Sequence, residues 1–434
     1  MPPNNEPRRA PGLGGRIKRA LKRIPLFQLT YRFLFRLGIG QILVRRPVFA
    51  FFRALGFRVL KREDLRAQSA ALHVVEYAAA ESIAADEPLT AGPLSDKAQR
   101  ALRAYTLNIA RPFTAEFSDV QLVGATALGF TRDGALIAET MPPYFTRKDI
   151  MDNVPASALV RSRTRPGGVK KIGRAFSLVN AWNNNYCMWL SEGLARLEGL
   201  ADYERRTGHR VPVIIPANPA RYQTESLQLM GYGPDRCVEW NGSRLEVGTL
   251  VVSSFRRELR GDYYYRVSLA GLRWVREKML AALPPTAIAF SPRVFISRRK
   301  ALARKIANEE DVLRLLAPLG FAAYALEEMS FADQVRLFAQ AEIIVAPHGA
   351  GLMNLAFADR PGVVELFGRH IQPSFSELAR GFGFRYGCME CPAPRGDLRS
   401  WDADLVVDVA TLGRLVGRML EKAIPTLSEE VPKF

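Results

Sequence analysis

Cysteine and histidine are scarce in this chain, with four of each in 434 residues. So few cysteines exclude a disulfide-built scaffold and suit a reducing compartment. His73, His209, His348 and His370 are the whole supply of imidazole bases. No stretch reaches the roughly 18 uninterrupted apolar residues of a membrane-crossing helix, so none is expected. Glycine (33) and proline (28) stay near average usage, which excludes collagen-like and low-complexity classes. The sequence contains no G-x-x-x-x-G-K-[ST] loop and therefore does not read as an ATPase.

Positive charge is abundant but confined. Residues 1–66 carry +13 of the net +18, which leaves the other 368 residues almost balanced. A nucleic-acid groove across the fold is therefore not expected. Residues 1–15 are rich in proline and glycine. From Arg16 apolar and basic residues alternate at helical spacing, with Phe27, Tyr31, Phe33, Phe35, Phe51 and Phe52 among them. Pro25 and Pro47 divide this segment, and Arg32 and Arg36 interrupt it, so it does not read as a secretory signal. It reads as an interfacial anchor in which residues 16–62 meet a membrane surface. A helical extension packed on the body fits the same pattern.

The rest alternates strand and helix signals, and its length suits two domains. Strand-like stretches fall at 120–123, 135–138, 211–216 and 249–253, with helices at 178–200 and 221–231. The second half is clearer. Strands at 293–296, 321–326, 342–346 and 363–367 alternate with helices at 309–316, 330–340 and 352–357, which is half of a doubly wound fold.

Chemistry concentrates after the strand EIIVA. Small residues at Gly349, Ala350 and Gly351 let the backbone approach a ligand, and the next helix N-terminus suits a phosphate. Alone, the same loop is a tight strand-to-helix turn. Ser297, Arg298 and Arg299 end a neighbouring strand, where two guanidiniums and a hydroxyl suit a diphosphate, or where a solvated arginine pair would also sit. Glu365 ends the next strand and suits a ribose hydroxyl, or an ion pair with Arg369. Cys388 and Cys391 form an isolated C-x-x-C and read as free thiols, because no second pair completes a zinc site. Asp402 and Asp404 read as a solvated loop, and Tyr263–Tyr265 as strand or core.

The stretch from Arg293 to Phe367, with ISRR, Asn308-Glu309, SFADQVRLFAQAE, PHGAGLMN and VVELF in order, resembles glycosyltransferase family 61. The resemblance implies an α/β architecture of GT-B type, two Rossmann-like domains facing a cleft. With the basic N-terminal helical extension, the expected division is 1–66, 67–285 (acceptor) and 286–434 (donor). It also implies inverting transfer from a nucleotide sugar to a glycan or lipid-linked acceptor, in bacterial surface-polysaccharide synthesis. The expected donor-binding residues are Ser297, Arg298, Arg299, His348, Gly349, Ala350, Gly351, Asn354 and Glu365. Asn185, Tyr186 and Trp189 match the family's acceptor-side stretch, but Met188 replaces its usual histidine and Ala195 its proline. Methionine cannot take a proton from the acceptor, so Glu192, one turn on, and His348 are the candidate bases. Glu192 also fits a carboxylate facing Arg196. No cofactor and no obligatory metal are expected, and the location expected is the cytoplasmic face of the membrane. A non-catalytic nucleotide-sugar binder or assembly subunit is the alternative.

Overall fold

Alternating buried strands and helices build two main sheets in the computed structural model, which describes residues 57–141, 168–182, 184–258, 266–397 and 402–421, together with Ala54. The rest of the amphipathic segment before residue 57, the basic loop up to residue 167, Asn183 and Tyr263–Tyr265 lie outside the described residues. Among the described residues no helix is long and apolar enough to cross a membrane.

The first sheet is mixed. Its centre pairs two long strands, Phe113–Val123 and Arg244–Ser253, antiparallel, with Ser253 opposite Thr114. On one side Lys171–Ser177, Val213–Ile215 and Cys237–Glu239 follow in parallel. On the other side come Leu128–Phe130, Leu136–Ile137 and Val59–Leu60. The sequence pattern of strand and helix holds only for the parallel side. On the other side antiparallel strands are joined by turns, such as that at Gly124 to Ala127, and Val59–Leu60 adds in parallel at the edge.

The second sheet is parallel throughout. Its strands, numbered here within this sheet, are β1 (Arg293–Ile296), β2 (Ala322–Tyr324), β3 (Ile343–Pro347), β4 (Gly362–Phe367) and β5 (Arg385–Glu390). The order is β2-β1-β3-β4-β5, and a short strand from the first half, Leu89–Thr90, closes the edge beside β5. The residues of β3 and β4 are buried on both faces, which is why both read as continuous apolar runs. One face packs under helices Glu309–Leu316 and Val409–Glu421 through Val312, Leu316, Leu412, Leu415 and Met419. The other face shares a core with the first half, where Phe338, Phe357 and Phe367 join Trp189, Leu197 and Val213.

Helix Phe331–Gln340 starts where the sequence places it. Ser330 Oγ accepts from the Asp333 N–H at 3.1 Å and donates to its carboxylate at 2.6 Å. The helix expected at 178–200 differs. It begins at Tyr186 with Asn185 as N-cap and ends at Thr207, where Gly208 takes a left-handed conformation. Between Trp189 and Gly193 it widens into a π-helical turn, then tightens at Leu194–Arg196. Such turns are uncommon, and they rotate side chains away from ordinary helical spacing.

Candidate functional site

The order β2-β1-β3-β4-β5 reverses direction between β1 and β3, and ligands of open α/β sheets bind outside the carboxyl ends of strands at that switch point. A cavity of about 510 Å3 lies there. Residues following β1 (Ser297, Arg298, Lys300) and β3 (Gly349, Ala350, Gly351) form one wall. Leu326, Met329 and Phe331 form a second, and Tyr186, Arg221 and Tyr222 from the first half form a third.

Close backbone approach explains both loop glycines. Gly349 is extended (φ 176°), so its backbone is unstrained, but a Cβ there would collide with the Arg298 guanidinium. A Cβ on Gly351 would lie 2.7 Å from Leu326 Cδ1. The helix that follows, Ala350–Phe357, is 3-10 rather than α. Arg298 is largely buried; one nitrogen donates to Ala303 O at 3.1 Å, while its Nε has no partner. Burial, and then the charge of Arg304, lower its pKa, with Glu327 opposing.

The other expected donor contacts divide. Ser297 lines the cavity, but its hydroxyl donates to Glu309 at 2.7 Å. Arg299 does not line it. Its side chain is 63% exposed and pairs with the same Glu309 at 3.2 Å. Asn354 is fully buried and works from behind the wall: it accepts from Tyr186 Oη at 2.5 Å and donates to Gln334 Oε1 at 3.0 Å. Gln334 in turn donates to Leu326 O at 2.9 Å, so one buried network fixes two walls of the cavity. Tyr186 stays protonated, because burial raises its pKa far above the usual phenol range.

Glu365 has another task than the ribose contact expected of it. It is fully buried, accepts from Tyr386 Oη at 2.5 Å and meets His348 Nδ1 at 2.5 Å. A ribose hydroxyl would have to displace one of these partners. Burial, then the charge of Glu365, raise the Tyr386 pKa, so the phenol is the donor. His348 does not line the cavity either. It stacks on Phe367 (5.2 Å between centroids, 28°) and lies 5.1 Å from the His370 ring.

The acceptor-side expectations need the most correction. Trp189 is a core residue, 1% exposed, whose indole N–H donates to Ser226 Oγ at 2.9 Å. Asn185 serves as N-cap, accepting from the Met188 N–H at 3.2 Å. Of the three, Tyr186 alone lines the cavity. Glu192 lies elsewhere, its side chain 1% exposed and paired with Arg257 at 3.2 Å. Burial raises its pKa against the opposing charge of Arg257. It does not pair with Arg196, whose guanidinium donates to Ser253 O and Ser177 O, each at 3.1 Å, and stacks over Phe255. An acceptor hydroxyl would have to enter this buried pair to use Glu192 as a base.

Cys388 and Cys391 are free, and burial pushes each thiol up to about 12. Sequence reasoning missed Tyr222, Arg221 and the Leu326–Met329 stretch. The switch-point rule marked their location, since each follows a parallel strand at its carboxyl end. Tyr186 and Tyr222 meet edge to face, 5.1 Å apart. Glu225, also on the cavity wall, accepts from the Phe331 N–H at 2.6 Å and so places a negative charge at the start of that helix.

The profile of the family described as Glycosyltransferase 61 matches residues 136–364. The EGF domain-specific O-linked N-acetylglucosamine transferase of Mus musculus is 32% identical over 100 residues, which cover 22% of this chain and 19% of that protein. Its Rattus norvegicus counterpart is 31% identical over 107 residues, 23% of this chain and 20% of that one. The chain thus spans about a fifth of the length of these curated relatives. Among solved structures, the dodecameric iron-containing heptosyltransferase TibC in complex with ADP-D-beta-D-heptose aligns with a TM-score of 0.29 at 12% identity. That alignment covers 60% of this chain and 82% of that one.

Proposed function

The chain belongs to glycosyltransferase family 61, and from that premise we propose that it transfers a sugar from a nucleotide-sugar donor, bound in the switch-point cavity, to a glycan or lipid-linked acceptor. One observation carries the reading: the cavity brings Arg298 against the Gly349–Gly351 turn, at the sheet position where phosphates bind. In this reading the base lies near Leu326 and Met329, the diphosphate meets Arg298 and the turn, and the sugar faces Tyr186 and Tyr222. The halves 67–285 and 286–434 act as acceptor and donor domains of a GT-B arrangement.

Transfer would be an in-line displacement at the anomeric carbon with inversion. The acceptor oxygen forms the new bond, the bond to the diphosphate oxygen breaks, and the acceptor proton passes to a base. Arg298 and backbone N–H groups would stabilise the leaving diphosphate, preorganised for the charge that develops there. Neither candidate base lines the cavity, and of the two we favour His348, which adjoins the Gly349–Gly351 turn that does. If Glu365 accepts from Nδ1–H, Nε2 is left to accept a proton. We place the enzyme in surface-polysaccharide synthesis at the cytoplasmic face of the membrane, held by residues 16–62, with no obligatory metal.

Met188 favours a second reading, that of a nucleotide-sugar binder without turnover. It stands where the family resemblance expects histidine and is 6% exposed. Thermal-shift titration with nucleotide sugars and nucleoside diphosphates, with and without EDTA, followed by transfer assays, tests both. A selective upward shift with turnover supports the enzyme, because a ligand of the native state must stabilise it. A shift without turnover on any acceptor supports the binder. No shift with any donor would remove the donor-site reading.

A further inference from the structure

Cationic side chains continue along the sheet edge beyond those that line the cavity. Arg304 lies in the loop after β1 that also carries Arg298. His370 follows β4, and Lys97 follows the edge strand Leu89–Thr90. These residues therefore succeed one another along the carboxyl edge of one sheet, on either side of the His348–Gly349 turn. They lie close enough to interact. The charge of Arg304 disfavours the charge on Arg298 and on His370, and His348 and Lys97 add to the effect on His370. The His348 and His370 rings are 5.1 Å apart.

Two further features mark the cluster as unfinished. The Nε atoms of Arg298 and of Arg304 are both buried without a hydrogen-bond partner. Buried donors left unpaired are costly, and neighbouring guanidiniums repel one another. Arg304 also holds a left-handed backbone conformation, φ +58°, which a non-glycine residue adopts at a cost. Asp402 faces Arg304 and Glu327 faces Arg298, but neither carboxylate supplies those Nε atoms. An anion with several acceptor oxygens, as in a diphosphate, meets all of these demands together.

We propose that Arg304 and His370 complete the anion site begun by Arg298 and the Gly349–Gly351 turn, so that the diphosphate is held by two guanidiniums and an imidazole. The inference rests on the donor-site reading above and extends it to two residues that the sequence analysis did not assign to the donor. The groups that face His370 are His348, Arg304, Lys97 and the Gln372 side chain, its hydrogen-bond partner. Burial first, and then the charges of His348, Arg304 and Lys97, push His370 down to about 4. An anion placed among them reverses the balance and favours the imidazolium.

The test is calorimetric titration of the full chain with UDP, GDP, ADP and inorganic pyrophosphate at pH 7, in two buffers of different ionisation enthalpy. The expected result is proton uptake on binding of the preferred diphosphate, absent in His370→Gln. Arg304→Gln should bind at least tenfold more weakly and Arg304→Lys by an intermediate amount. Arg314→Ala, on an exposed helix face, should match the parent. Thermal melts precede the titrations; if Arg304→Gln fails to fold, Arg304→Lys and His370→Gln carry the test. If Arg304 variants bind like the parent while Arg298→Ala loses affinity, the donor site stands and this inference falls. Unchanged proton uptake in His370→Gln removes the role of that residue. If the parent binds none of the four probes, the donor-site reading falls, and this inference with it.

Discussion

Replacing Gly349 with alanine separates the cavity's chemistry from its stability. The glycine backbone is extended, so alanine brings no conformational strain at φ 176°. The Cβ would instead fall where the Arg298 guanidinium packs. That obstacle is the far end of a flexible side chain, so the fold should yield there by moving Arg298. The stability cost is then about 1 kcal/mol or less, the scale of a local rearrangement. Donor affinity should fall much further. A hydrogen bond to a charged group contributes about 1.5–3 kcal/mol, which corresponds to roughly 10- to 150-fold in dissociation constant. Isothermal titration with the preferred nucleoside diphosphate measures the affinity, and urea denaturation measures the stability. The double variant with Arg298→Ala is decisive. If the glycine acts through Arg298, adding Gly349→Ala to Arg298→Ala should cost little more, which is non-additivity between coupled sites. Affinity within twofold of the parent for Gly349→Ala, or a fully additive double variant, would refute the reasoning.

Three further outcomes follow from buried groups. Arg257→Ala strands the carboxylate of Glu192 in the interior and should cost about 3–5 kcal/mol in urea denaturation, with part recovered by adding Glu192→Gln. Because burial already raises the Glu192 pKa, the stranded carboxyl binds protons more tightly folded than unfolded, so the deficit should shrink as pH falls. Trp189→Phe removes the indole bond to Ser226 and should lose on the order of 1–2 kcal/mol of stability. Its donor KM should stay within twofold, and a large KM change would return Trp189 to the cleft. Burial and the neighbouring cations push His370 from 6.5 down to about 4 in the folded chain, so between those values the unfolded chain binds more protons and ligand-free stability rises with pH. Melts from pH 4 to pH 6.5 should show that slope, reduced in His370→Gln; an identical slope in the variant would place the titration elsewhere.

Much of the second sheet was legible in the sequence because its signals are local. A parallel strand covered on both faces must be apolar along its whole length, and VVELF and EIIVA are. Ser330 and Asp333 marked a helix start three residues apart, and the small residues of 349–351 marked a close backbone approach. The sequence misplaced the start of the helix near Asn185, because Leu178, Val179 and Trp182 extend an apolar pattern across the asparagines that precede Tyr186. The π-helical turn at Trp189–Gly193 has no periodic signature, and Glu192 within it is buried against Arg257 rather than facing the cavity.

What the tertiary structure alone decided is which of several similar side chains meets the cavity. Arg298 and Arg299 are neighbours of equal charge, yet one lies against Gly349 and the other pairs with Glu309 at the start of another helix. Glu365 stands at the strand end where a ribose contact was expected, yet Tyr386 on β5 and His348 just after β3 claim both its oxygens. Arg304 and His370, which lie 66 positions apart, follow β1 and β4 along one sheet edge, where the charge of Arg304 acts on His370. Local sequence sets strand, helix and turn, because those depend on neighbours a few residues away. The direction of a charged side chain depends on which distant partner satisfies it, and only the packed chain brings that partner into reach.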